Sequence, residues 1–289
     1  MSKKAVSKSI AILVCYLGKL PWYFEYFIHS CKYNPYISFF IITDDKSFPN
    51  EKPANVHFVY KSLEEINKIA TRKLGFQTNI KTGYKLCDFK PAYGYIFDDI
   101  VMGYDFWGHA DIDIIFGDIR SFITDDLLSN YELISVRHDF LTGQFLLFKN
   151  DQKMNTLFTQ SKDYKKVLSS EKHYCFDETN FKWDEFTNGI QYTEIDSEIE
   201  SMTHVVKRMQ EQNKLKAHFD FLIIEGLPGK LKWERGKIYY KGKFEVLMYH
   251  MVLFKNHGLR PKKSGILPDT FFISPTRIYH MSNGRKSLA

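Results

Sequence analysis

The sequence predicts an α/β fold: a mixed, mostly parallel sheet flanked by helices, with a variable C-terminal portion. Three observations carry this. Strand-length apolar runs such as "SIAILVCYL" and "YISFFIITDD" lack polar alternation, as strands covered on both faces do. Segments with helical apolar spacing lie between them. The length, 289 residues, is ample for a sizeable core.

The first strand is "SIAILVCYL", ending before Gly18. After Pro21, "WYFEYFIHSC" sets Phe24, Phe27, Ile28 and Cys31 on one helical face. A second buried strand, "YISFFIITDD", closes on Asp44 and Asp45, and "VHFVY" is a short third. "SLEEINKIATRKL" begins with Ser62 and has Glu65 three places on, a capping-box pattern. Its apolar stripe is Leu63, Ile66, Ile69, Ala70 and Leu74. In "LCDFKPAYGYIF", Pro91 suits the first turn of a helix. "FWGHADIDIIFGDI" then brings in the end of a buried strand.

Beyond it, "YELISV" and "GQFLLF" read as strands, and a helix is expected from about Met154 to Leu168. Residues 170–196 have weak periodicity and read as a long irregular loop. "SEIESMTHVVKRMQEQNKL" is amphipathic through Ile199, Met202, Val206 and Met209. "KLKWERGKIYYKG" reads as a hairpin turning at Arg235-Gly236. "EVLMYHMVLF" is a further buried strand holding His250, and a basic, turn-rich tail starts at Lys255.

Hydrophobic and charged fractions, 44% and 26%, are ordinary for a globular chain. The aromatic share is 16%, and most of the Phe and Tyr read as core. The net charge of +6 favours acidic partners such as phosphates and anionic headgroups. Its lysines are dispersed and no nucleic-acid motif appears, so no nucleic-acid partner is expected. Cys15, Cys31, Cys87 and Cys175 lie among apolar neighbours without C-x-x-C spacing and read as reduced core thiols. The start, "MSKKAVSKSIAILVCYLG", mimics a signal peptide, but its apolar run is short and no small-x-small site follows. A buried strand explains it better. No run nears the roughly 18 apolar residues of a membrane span, and a cytoplasmic protein is expected.

The chemistry gathers at Asp111 and Asp113. In extended backbone, residues two apart face the same way, and ligand sites of open α/β sheets lie beyond the carboxyl ends of strands. The pair therefore offers two hard oxygen donors suited to Mg²⁺ or Mn²⁺. The alternative is a carboxylate pair capping backbone amides in a turn.

The order of motifs is an apolar first strand ending near Gly18, a strand ending in Thr43-Asp44-Asp45, a Lys-Pro helix, and a strand leading into D-x-D. This resembles the GT-A class of nucleotide-sugar glycosyltransferases, especially bacterial surface-polysaccharide enzymes, over roughly residues 8–150. "YKLCDFKPAYGYIF" followed by "DFWGHADIDIIFGDI" is similar to one bacterial branch of that class. The resemblance implies a GT-A-like, Rossmann-related fold. It divides one domain into a nucleotide-sugar-binding half (8–150), an acceptor-side half (151–260) and a basic tail (261–289).

It also implies roles. Cys15, Tyr16, Leu17 and Gly18 would lie against the nucleoside, and Asp44 or Asp45 would meet the base; solvated turn aspartates are the alternative. Asp88 and Lys90 would contact ribose and phosphate. Asp111 and Asp113, the latter more directly, would hold Mn²⁺ or Mg²⁺ against the diphosphate of the donor, with a UDP-sugar the leading one. His250 or His257 from a late strand would complete the metal site, unless it is a core histidine, and His109 is near enough in sequence to join. Asp177-Glu178 is preferred over Asp184-Glu185 as the base of an inverting reaction; solvated loop carboxylates are the alternative. Trp107, Tyr174, Phe176 and Trp183 are candidates for stacking on sugars. The acceptor would be a saccharide or lipid-linked saccharide. The tail stretches "RPKKSG" and "TRIYHMSNGRK" would give peripheral contact with an anionic membrane surface. Two rival readings are a metal-dependent phosphoester hydrolase, suggested by H-x-D-x-D, and a non-catalytic protein binding nucleic acid or a membrane surface.

Overall fold

The computed structural model describes residues 7–48, 51–259, 267–282 and 285–288. In chain order its strands are β1 (Ile10–Cys15), β2 (Ile37–Thr43), β3 (Val56–Tyr60), β4 (Phe106–Ala110), β5 (Ile114–Phe116), β6 (Leu133–Ser135), β7 (Phe145–Lys149) and β8 (Ala217–Phe219). They continue as β9 (Ile223–Glu225), β10 (Leu231–Glu234), β11 (Lys237–Tyr240), β12 (Phe244–Val246), β13 (Met248–His250), β14 (Thr270–Ile273), β15 (Ile278–Ser282) and β16 (Arg285–Leu288). The central sheet has the order β3-β2-β1-β4-β7-β6-β8. Only β7 runs against its neighbours β4 and β6; the other pairs are parallel. This is the mixed, mostly parallel sheet that the sequence predicts.

β1 shows why its run is uniformly apolar. Ala11 and Leu13 share a core cluster with Phe89 and Val205, beside Trp107 of β4. Ile10, Ile12 and Val14 share the other with Phe24 and Phe27, beside Phe39 of β2. Each such fully buried aliphatic or aromatic side chain contributes roughly 1.5–3 kcal/mol relative to exposure. Helices cover both faces: Phe24–Lys32 buries the predicted Phe24, Phe27, Ile28 and Cys31. Helix Leu63–Leu74 packs on the opposite face. Its capping box is complete, with Ser62 N donating to Glu65 Oε2 at 2.7 Å and Glu65 N to Ser62 Oγ at 3.2 Å. All four cysteines are unpaired thiols.

The segment before the D-x-D departs from expectation. Pro91 stands near the end of a 3-10 helix, Gly83–Ala92, rather than in the first turn of an α-helix. In a 3-10 helix residues three apart eclipse, and this brings Lys85 Nζ to 2.8 Å from Asp88 Oδ2 in a pair almost wholly removed from water. The helix expected over 154–168 is three short pieces, Gln152–Asn155, a 3-10 turn Leu157–Gln160, and Tyr164–Ser169. It breaks at 161–163 because that stretch is fastened elsewhere: Ser161 Oγ donates to Glu200 O and Glu200 N donates to Asp163 Oδ2. Residues 170–196 are irregular apart from Trp183–Thr187, as predicted. The amphipathic helix is shorter than its pattern, Met202–Glu211.

The hairpin turns where expected, with Arg235 and Gly236 both at positive φ (47° and 84°) between Glu234 and Lys237, as a type I′ turn requires. It belongs to an antiparallel sheet of order β12-β11-β10-β14-β15-β16. The expected tail thus supplies β14, β15 and β16; "RPKKSG" lies outside the described residues. "EVLMYHMVLF" is not one strand. β12 joins the antiparallel sheet, while β13 enters a three-stranded sheet of order β5-β13-β9. The chain changes sheets at Leu247, whose N–H donates to Leu222 O and whose C=O accepts from Gly117 N. That small sheet sets His250 opposite Ile114, next to Asp113, and opposite Glu225.

Candidate active site

Asp111-Ile112-Asp113 forms the turn between β4 and β5. Its backbone is pinned at both ends: Asp111 N donates to Gln144 O, and Asp113 O accepts from Met251 N. One carboxylate oxygen each from Asp111 and Asp113 and one ring nitrogen of His250 all lie within 4.8 Å of one another. The two aspartates therefore converge, but from a turn and not from an extended strand.

Asp113 is buried and Asp111 partly so; a carboxylate taken from water needs a positive partner, and each has one. Lys90 Nζ is 2.7 Å from Asp111 Oδ1. Lys255 Nζ is 2.7 Å from Asp113 Oδ2, with His250 Nε2 at 3.5 Å from the same oxygen. Burial alone would raise the pKa of Asp113, but His250 and Lys255 outweigh it and hold the carboxyl well below the usual range. Burial likewise works against a charged His250, yet Asp113 and Glu225 carry it up to about 10.

Glu225 stands behind the histidine. Its Oε1 is 2.9 Å from His250 Nδ1 and accepts from Gln144 Nε2 at 3.1 Å; its Oε2 accepts from Arg137 at 3.0 Å. A carboxylate on one ring nitrogen fixes which way the other points, and here Nε2 is turned toward the aspartate pair.

Lys90 links the pair to the second half of the chain. Besides Asp111 it donates to Gly143 O at 2.7 Å and lies 3.5 Å from Asp177 Oδ2. Burial, above the opposing pull of Lys90, raises the Asp177 pKa well above the ordinary carboxyl value. The neighbouring Glu178 is committed to protein donors, Gly143 N at 2.6 Å and Trp183 Nε1 at 2.7 Å. A Cβ at Gly143 would come within 2.5 Å of Asp177 Oδ2 and 2.9 Å of Glu178 Oε1, so only glycine lets these carboxylates close on the loop.

The other predicted residues divide. Gly18, at φ 93°, donates its N–H to Asp44 Oδ1 at 2.7 Å, and Asp45 Oδ2 accepts from Leu20 N at 2.8 Å. Both aspartates thus shape the loop leaving β1. Tyr16, at its start, has its hydroxyl in the field of Lys255 and Asp113 beneath the dominant effect of burial, which raises its pKa. Asp88 is fully buried, paired with Lys85 and accepting from Tyr174 N and Phe176 N. It braces the Asp177 segment and turns no free oxygen to solvent. His109 is buried beneath the site, its pKa held well below normal by burial and by Lys90. His257 donates from Nδ1 to Leu253 O in its own turn, and Asp184-Glu185 lies on a short helix with Glu185 paired to Lys182. Trp107 is core, stacked on Phe148 at 4.4 Å; Tyr174 and Phe176 are buried, and Trp183 is exposed.

Sequence reasoning missed Glu225, Arg137, Gln144, Gly143 and Lys255. Lys255 had a signal, since it follows His250 by five residues across a turn. Glu225 had none, because only the pairing of β9 with β13 brings it to the histidine.

The fold and this site define an α/β protein with a carboxylate–histidine cluster at the carboxyl ends of β1 and β4. The chain belongs to DUF6625, a family of unknown function, whose model matches residues 12–282. No curated protein matches the sequence. Among solved structures, the chain is similar to a crystal structure of the galactosyltransferase LgtC in complex with donor and acceptor sugar analogs. The identity is 14% and the TM-score 0.34, over 57% of this chain and 66% of that one, just under two thirds of its length. Among the described residues no helix is long and apolar enough to cross a membrane.

Proposed function

We propose that this protein is a metal-dependent glycosyltransferase that moves a sugar from a nucleotide-sugar donor to a saccharide or lipid-linked saccharide. The observation that carries this reading is the convergence of Asp111, Asp113 and His250 between two lysines, Lys90 and Lys255. The donor set fits a divalent ion: two hard oxygens and an imidazole suit Mn²⁺ or Mg²⁺. When bound, such an ion neutralises charge that grows on a departing nucleoside diphosphate.

The residues of this chain would do the rest. Lys90 and Lys255 supply two further cations at the place where diphosphate oxygens would lie, fixed in advance by their aspartate partners. Tyr16 and Gly18 would form the floor for the nucleoside, with Asp44 and Asp45 holding that loop in shape. For an inverting reaction the base would be Asp177 and not Glu178. Glu178 already accepts from Gly143 N, Trp183 Nε1 and Cys175 Sγ, whereas burial raises the pKa of Asp177 above the ordinary carboxyl value and so makes it the more basic carboxylate. Asp88 would act only by bracing that segment. The net charge of +6 is consistent with a cytoplasmic protein working against an anionic membrane surface.

A thermal-shift screen of UDP-, GDP- and CDP-sugars, each with and without Mn²⁺, tests the assignment. One donor class should stabilise the protein only when Mn²⁺ is present. If no nucleotide sugar shifts the melting curve under either condition, the reading fails.

A further inference from the structure

Next to the Asp177-Glu178 pair, three aromatic side chains stand in water: Tyr84 is 68% exposed, Phe181 45% and Trp183 39%. They form one ladder through His173. Ring centroids are 4.5 Å apart for Tyr84–His173, 5.5 Å for His173–Phe181 and 5.6 Å for Phe181–Trp183, each pair edge to face. Monomeric proteins rarely leave several large apolar side chains contiguous and exposed without a use for them.

The ladder is held outward at a cost. Asn180 and Phe181 both sit at positive φ, 58° and 63°, a conformation that is an outlier for a bulky residue. The backbone around them is braced from beneath. Asn180 donates to Tyr174 O at 2.9 Å and accepts from Glu198 N at 2.8 Å, while Asp88 accepts from the amides of Tyr174 and Phe176. The indole of Trp183 is fixed by its 2.7 Å bond to Glu178 Oε2. Rigid aromatic faces with one polar edge suit a flat partner with an apolar face and a polar rim. A pyranose ring is such a body: its axial C–H bonds make one face apolar, and its hydroxyls ring the edge.

We infer that Tyr84, Phe181 and Trp183 form the binding platform for a pyranose of the acceptor, with Glu178 locking the indole and so tying the platform to the Asp177 carboxylate. This rests on the proposed glycosyl transfer and names the acceptor side of that same site. The platform selects for a ring with a continuous C–H face.

Saturation-transfer NMR with a panel of methyl α- and β-pyranosides and β-linked disaccharides tests it on the full chain. At least one saccharide should receive saturation from the native protein. Its affinity should fall at least tenfold in Trp183→Ala, while the Mn²⁺-dependent shift by the nucleotide sugar persists. Phe181→Gly, which relieves the positive φ, should melt no lower than the parent and still bind the saccharide more weakly. Absence of saturation transfer to every saccharide overturns the inference, as does equal affinity in Trp183→Ala. So does a concentration-dependent dimer, seen by sedimentation velocity, that Trp183→Ala abolishes, since the ladder would then be an interface between copies. Loss of the nucleotide-sugar response in the native protein would instead strike the glycosyltransferase reading itself.

Discussion

Lys255 Nζ lies 2.7 Å from Asp113 Oδ2, a contact between residues 142 apart in the chain. It joins the turn after β4 to the short helix after β13, and so closes the site only when the late small sheet has formed. The site is therefore a product of two halves of the sequence, which makes several of its properties testable.

Glu225 should matter to metal binding without touching the metal. Its carboxylate orients His250 through Nδ1, and loss of such a partner typically weakens metal affinity about 10–100-fold. Glu225→Ala should lower Mn²⁺ affinity by that factor in calorimetry while leaving the far-ultraviolet circular dichroism unchanged. Glu225→Gln keeps an oxygen acceptor and should recover part of the loss. Equal Mn²⁺ affinity in the alanine variant and the parent would remove Glu225 from the site.

Lys85 and Asp88 form a pair with almost no solvent contact. Leaving one buried charge unpaired costs roughly 3–5 kcal/mol. Asp88 keeps His173 Nδ1 at 3.2 Å and two amides, so Lys85→Met should lower the urea-unfolding free energy by less than that, about 1–3 kcal/mol. Removing both charges usually rescues such a pair. Here it should not, because Asp88 also accepts the amides of Tyr174 and Phe176. A Lys85→Met/Asp88→Leu protein as stable as the parent would contradict this.

Gly143 is a point of close approach. A methyl group there meets Asp177 Oδ2 at 2.5 Å and Glu178 Oε1 at 2.9 Å, and overpacking of this kind costs about 1–3 kcal/mol. Gly143→Ala should melt lower and lose transfer more completely than it loses nucleotide binding. Unchanged turnover in that variant would show that the two carboxylates need not sit where they do.

Acid should weaken the fold before the ordinary carboxylates titrate. Burial pushes His204 down to about 4, from an ordinary 6.5. As pH falls below 6.5 the unfolded chain takes up a proton that the folded one refuses, so stability is full above 6.5 and declines toward 4. The full loss is on the order of 3 kcal/mol by the usual conversion of pKa shift to energy. His250 does not mask it, because its raised pKa contributes stability below 6.5 that is lost only as pH rises toward 10. His29, pushed down to about 4 by burial, and His109, held well below its ordinary value, add losses of the same sign. Urea midpoints at pH 7 and pH 5 should therefore differ in the parent and differ less in His204→Asn; the same drop in both would exclude His204.

The central sheet was legible because burial on both faces writes itself into uninterrupted runs such as Ile10–Val14. The helix at 63–74 and the hairpin at Arg235-Gly236 were equally plain, since capping and turn chemistry are local. What failed to show was set at a distance. The helix over 154–168 broke because Glu200 ties down Ser161 and Asp163. "EVLMYHMVLF" split between two sheets, which no local pattern records. The same holds for the site: Asp111, Asp113 and His250 were visible as residue types, but Glu225 and Arg137 reach them only through the β9–β13 pairing.

The most direct measurement is Mn²⁺ binding in the presence of UDP, followed by the Mn²⁺ electron paramagnetic resonance signal. Titration of the parent should give one saturable site that broadens on UDP addition, and Asp113→Asn, still folded, should lose it. If the Asp113→Asn protein takes up Mn²⁺ and UDP as tightly as the parent, the ion is not held by the 111/113 turn and the account is wrong.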